Sequence, residues 1–204
     1  MSVRPGDVLL QASSLGLERG GRVLFEGLSF SLYSGQLMQI DGANGAGKTS
    51  LLRILAGLSR YGFEGSVKRT VPVLFLGHLS SVKGVLTPRE NLAWHLSGES
   101  VYEREHIDWA LAQVGLCGYE DVPSHTLSAG QHRRVNLARL YLSESPLWLL
   151  DEPFTAIDKQ GVTELEALME QHVEKGGALL LTSHQVLSVQ RPVQRLSLQQ
   201  GLLV

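Results

Sequence analysis

One cysteine in 204 residues, Cys117 in a GLCG context, excludes an internal disulfide and offers neither a CxxC pair nor metal-ligand spacing. Its expected place is that of a small buried apolar residue in a reducing compartment. Long hydrophobic runs are also missing: VPVLFL (71–76) and GALLLT (177–182) fall far short of the ~20 residues that a membrane helix needs. The N-terminal MSVRPGDVLL has no signal-peptide core, so the expectation is a cytoplasmic chain that does not itself cross a membrane. Neither charge sign dominates. With 18 Lys and Arg against 20 Asp and Glu, the net charge of -2 provides no molecule-wide field for nucleic acid, which is not expected as a partner. Internal repeats, low-complexity tracts and long linkers are absent, and the chain is long enough to bury a substantial core within one domain, residues 1–204.

The chain does contain punctuated β and α patterns. Short runs at 8–17, 28–33 and 37–40, separated by ERGGR and YSGQ, read as an antiparallel β lobe. TSLLRILAGL has apolar residues at helical spacing and ends near Gly57, a C-cap candidate. Residues 88–143 form a helical lobe: Thr87 and Pro88 make a start signal, and further helices are expected at 105–114 and 131–142. The last third alternates apolar strands with a helix at 162–173, the pattern of a parallel sheet covered on both faces.

GANGAGKT (42–49) follows the strand LMQI and opens a helix, which is the spacing and the context of a P-loop. Gly42, Gly45 and Gly47 let backbone N–H groups turn toward a polyphosphate. Ala43, Asn44 and Ala46 complete the loop and Ser50 follows in the first helical turn. Lys48 reaches the β- and γ-phosphates, and Thr49 can ligate Mg²⁺. PLWLLDEP then places Asp151 at the C-terminal end of a buried strand, where the metal of a P-loop site sits. Glu152 can orient and deprotonate a water in line with the γ-phosphate. His184, after the strand ALLLTS, can donate from imidazole to a γ-phosphate oxygen. A second stretch, LSAGQHRRVNLARL (127–140), has the form of a phosphate-binding helix N-terminus without its own lysine.

The order of P-loop, LSAGQ, DE pair and histidine resembles the ATP-binding-cassette ATPases along essentially the whole chain. The resemblance implies an α/β P-loop fold with a mixed sheet core, an antiparallel β lobe and a helical lobe, acting on ATP with Mg²⁺. In that family two cassettes pair head to tail. By resemblance, Ser128 and Gly130 of one chain serve the γ-phosphate held by the other, Gln131 starts the signature helix, and Asp158 lies in the loop that crosses to the partner site. GLSFSLYSGQLMQIDGANGAGKT, LGHLSSVKGVLTPRENL, LDEPFTAID and TSHQ are similar, more narrowly, to ATP-binding subunits of cytochrome c maturation systems. This implies a peripheral subunit on the cytoplasmic face of a bacterial inner membrane, bound to integral membrane permease subunits. ATP hydrolysis there is linked to heme export or to release of a heme-loaded chaperone. Leu86 and Trp94 are candidates for contact with those permeases.

Some positions depart from the pattern. His78 stands where the family has a glutamine that touches Mg²⁺ and the attacking water. No aromatic residue lies between Leu9 and Leu24 to stack on adenine, which leaves Arg19 as the candidate stacking group. The stretch 65–73 is shorter than the family's hairpin. Two alternatives stay open: a membrane complex with another cargo (lipid, drug or polysaccharide), and a soluble cassette ATPase without transport.

Overall fold

In the computed structural model, residues 3–96, 103–198 and 202–203 are described. The chain divides into two compact units, one made of Met1–His78, Ser145–Pro153 and Thr163–Val204, the other of Leu79–Glu144 and Phe154–Val162. Residues 97–102 of the expected helical lobe lie outside the described residues.

The first unit contains two sheets. β1 (Val8–Arg19) and β2 (Arg22–Tyr33) form a long hairpin, and β4 (Glu64–Arg69) pairs antiparallel with the other edge of β1, giving the order β2-β1-β4. β3 (Leu37–Asp41) was expected in this antiparallel lobe, but it is a central strand of the other sheet, of order β5-β6-β7-β3-β8-β9. The reason is burial: Leu37 to Ile40 are all buried, so this strand needs apolar cover on both faces, which a two-sided sheet core supplies. β5 (Val73–Leu76), β6 (Leu147–Asp151), β7 (Ala178–Thr182) and β8 (Val193–Ser197) run parallel with it, and β9 (Leu202–Leu203) closes the edge antiparallel.

Alternation of side chains divides the sheet residues between two layers. Met38, Ile40, Leu149 and Leu180 join the core that contains Leu51, Leu52 and Leu55 of α1 (Lys48–Leu55). Trp148 points to the opposite face and stacks on His172 of α5 (Lys159–Glu174), with ring centroids 3.8 Å apart. Gly57, at φ 78°, follows the α1 C-cap and donates its N–H to Ile54 O, as its sequence position suggested.

The second unit is helical. α2 (Pro88–Leu96), α3 (Arg104–Gln113) and α4 (Ala129–Leu142) pack around Leu92, Ile107, Leu111, Val135 and Ala138. Thr87 caps α2 reciprocally with Glu90. Arg89 holds Asp108 at 2.7 Å and also pairs with Asp121. Cys117, expected inside, is exposed: it lies in the turn after α3 between Gly115 and Gly118, both in the left-handed region, rather than on a helix face turned to the core.

Candidate active site

The P-loop is positioned by β3 and α1. Its turn is closed by the Ala46 N–H donating to Ala43 O at 3.1 Å. Gly47 starts α1 at φ 99°, and a Cβ there would sit 3.2 Å from Leu24 Cβ and 3.3 Å from Phe25 Cδ1, so glycine is required both by conformation and by space. No side chain caps α1, which leaves the N–H groups of its first turn, with the positive end of the helix dipole, directed at an anion. Lys48 Nζ donates to Gly42 O (2.6 Å) and Ala43 O (3.4 Å), so the ammonium is folded over the loop. Thr49 and Ser50 stand in the same first turn.

Next to α1, β6 delivers Asp151, which is 1% exposed. Thr182 at the end of β7 is its register partner, and the Thr182 hydroxyl joins two acidic residues: it donates to Asp151 Oδ1 (2.8 Å) and accepts the Glu152 N–H (2.9 Å). Glu152 has φ 48°, a left-handed conformation that costs a non-glycine residue about 1 kcal/mol or more and is held here by that bond. The turn aims its carboxylate at His184, whose Nε2 lies 3.5 Å from Glu152 Oε1. Glu152 is partly sheltered and His184 largely exposed, which suits a base near the reacting atoms and a donor that meets a ligand from solvent. Thr182 was missed from sequence because a threonine ending an apolar strand has no local signal of its bonding. His78 is exposed just after β5. Arg19 is exposed at the hairpin tip opposite Arg22.

Among the described residues no three His, Cys, Asp or Glu side chains are grouped to hold a metal ion by themselves. One strand-end carboxylate and one helix-start hydroxyl instead fit an ion that takes most of its ligands from a polyphosphate and water, as Mg²⁺ does.

In the helical unit, Ser128 is the N-cap of α4 in a full capping box: its Oγ accepts from Gln131 N (3.2 Å), and Gln131 Oε1 accepts from Ser128 N (2.8 Å). A capping hydroxyl of this kind still has its proton to donate. Gly130 lies in the first turn, where a Cβ would meet Ala156 O at 3.5 Å. Asp158 is engaged within the chain: its Oδ1 accepts the Gly161 N–H at the start of α5 (2.8 Å), and its Oδ2 pairs with Arg134 of α4 at 2.7 Å. Trp94 is 59% exposed, with Lys83 Nζ 3.6 Å from its ring centroid, while Leu86 is half-buried.

The family profile described as ABC transporter matches residues 25–155. A protein of Pseudomonas savastanoi pv. phaseolicola named cytochrome c biogenesis ATP-binding export protein CcmA is 49% identical over 195 residues, covering 90% of this chain and 92% of that protein. A protein of the same name from Yersinia pestis bv. Antiqua is 54% identical over 189 residues, covering 87% and 86%. Among solved structures, an ATP-binding subunit of an ABC transporter superposes with a TM-score of 0.82 at 21% identity, covering 93% of this chain and 85% of that one. A dimeric post-hydrolysis ATP-binding cassette bound to ADP and Pi also gives 0.82, at 19% identity and 94% and 95% coverage. These two show likeness of fold.

Proposed function

Because the chain belongs to the ABC transporter family of ATPases, we propose that it is the ATP-hydrolysing subunit of an inner-membrane complex for c-type cytochrome biogenesis, coupling hydrolysis to heme export or to release of a heme-loaded chaperone. The observation that carries this reading is near-half identity, over about nine-tenths of the chain, to proteins named for that process.

In this reading residues 42–50 cradle the phosphates, and Lys48 exchanges the loop carbonyls for β- and γ-phosphate oxygens. Thr49 and Asp151 would hold Mg²⁺, which when bound neutralises charge on those oxygens. His78 is a further candidate contact of that ion or its waters. Glu152 takes a proton from the attacking water, and His184 donates to the γ-phosphate as charge builds on it. Ser128, Gly130 and Gln131 of a second copy complete the site, with Asp158 in the loop that meets it. Two chains arranged head to tail thus form two sites. Arg19 supplies the stacking plane for the base. The copies dock peripherally, at the cytoplasmic face, on permease subunits through the helical unit, with Leu86 and Trp94 in the contact.

The test is genetic and biochemical. In cells whose only copy is Lys48→Ala, covalently heme-stained c-type cytochromes should disappear while b-type cytochromes persist. Wild-type levels of c-type cytochromes in that strain contradict the assignment.

A further inference from the structure

The segment after β7 that carries His184 has no helix or strand until β8, and His184 is too exposed for packing to hold its ring. Its backbone is nonetheless tied down on both sides. Before it, Gln39 Nε2 of β3 donates to Ser183 O at 3.1 Å. Gln39 is 4% exposed, a polar side chain in the otherwise apolar run of a central strand. The Ser183 carbonyl can only accept, so the amide nitrogen must be the atom facing it. Its Oε1 is buried without a partner among the described residues, which makes the bond to Ser183 the one compensation found for placing an amide there. At the turn itself, Ser183 Oγ accepts the Gln185 N–H at 2.9 Å. After it, two carboxylates one helical turn apart on α5 accept backbone N–H groups: Glu166 from Ser188 at 2.7 Å, and Glu170 from Gln190 at 2.5 Å. Glu166 is 7% exposed, and a carboxylate accepting a backbone N–H is among the stronger hydrogen bonds a chain can make.

We infer that Gln39 and Glu166 are positioning residues for ATP hydrolysis, clamping the 183–188 backbone so that His184 is held against Glu152 and the γ-phosphate. Neither side chain touches the reacting atoms. They act by fixing a donor whose own side chain is largely in solvent, and positional errors near 1 Å can cost on the order of 100-fold in rate. The inference rests on the reading of Glu152 and His184 as the hydrolytic pair.

The experiment uses the full chain in its membrane complex. It measures kcat and KM for MgATP in Gln39→Met, Glu166→Ala, Glu166→Gln, His184→Ala, and the first two each combined with His184→Ala. Methionine keeps the apolar volume of Gln39 but cannot donate, whereas glutamine at 166 still presents an oxygen to Ser188 N. Gln39→Met and Glu166→Ala should each lower kcat about tenfold with KM within about twofold, Glu166→Gln should restore most of the loss, and neither double variant should fall below His184→Ala alone. Loss in His184→Ala with wild-type kcat in both clamp variants overturns the clamp and leaves the site reading standing. Losses that multiply with that of His184→Ala also overturn it, since the residues then act elsewhere. Wild-type turnover in His184→Ala overturns the site reading and the clamp together.

Discussion

At the residue scale, Glu152 combines a strained backbone, a sheltered carboxylate and a histidine neighbour 3.5 Å away. Glu152→Gln keeps the shape and removes the basicity, so hydrolysis should fall about 100-fold or more while MgATP still binds. Single-turnover kinetics with an equilibrium binding measurement separates the two, and wild-type turnover removes Glu152 from the mechanism. Thr182→Val deletes the hydroxyl that serves both Asp151 and Glu152, leaving a buried carboxylate oxygen short of a donor. It should cost about 1–3 kcal/mol in urea unfolding, and turnover should fall with it. Asp151, Glu152 and His184 were legible in the sequence because strand ends, acidic pairs and chain order carry their signal. Thr182 was not, because its role depends on the β6-β7 register, which no local pattern encodes. Gln39 left a trace, a polar residue inside LMQI, but its partner lies 144 positions away.

At the scale of elements, Ser128 caps α4 and, in the function proposed above, also serves a γ-phosphate; one substitution separates the two. Aspartate is as good an N-cap as serine, so Ser128→Asp should melt within a few degrees of wild type, yet it places a negative group without a proton where the proposed site would take a γ-phosphate. Turnover should therefore be lost, and a Ser128→Asp protein with normal hydrolysis contradicts the phosphate role of this helix start. α5 carries a pH dependence of its own. Burial against Trp148 pushes the His172 imidazole down from its usual 6.5 to about 4. The unfolded chain takes up this proton first as pH falls, so the contribution is fully present above about 6.5 and is eroded toward pH 4, by on the order of 3 kcal/mol in total. His172→Phe keeps the ring stack without the titration. Its stability should decline less than that of wild type between pH 6.5 and 4, and equal slopes would assign the dependence to other groups. Periodicity and caps made the helices readable, with boundaries off by one to three residues, the largest error at the start of α5. The place of β3 was not readable, because an apolar run of this length suits either sheet and only the long-range pairing with β7 and β8 decides it.

At the scale of the molecule, the phosphate cradle and the signature helix start belong to different compact units. The P-loop half has Lys48, Asp151, Glu152 and His184, and the LSAGQ half has a donor-rich helix start with no lysine of its own. Ser128 and Gly130 were legible as residues, but the identity of the nucleotide they serve is a property of two chains, which one sequence implies only by resemblance. In the proposed head-to-tail arrangement one copy supplies half of another copy's active site. The most direct test is the ATPase rate of mixed dimers, isolated through two different tags in the membrane complex, that pair a Lys48→Ala chain with a Ser128→Arg chain. Each parent dimer has both sites damaged, whereas the mixed dimer keeps one site with an intact Lys48 and an intact Ser128. Turnover well above both parent dimers is the predicted result, and a mixed dimer as inactive as its parents contradicts the head-to-tail account.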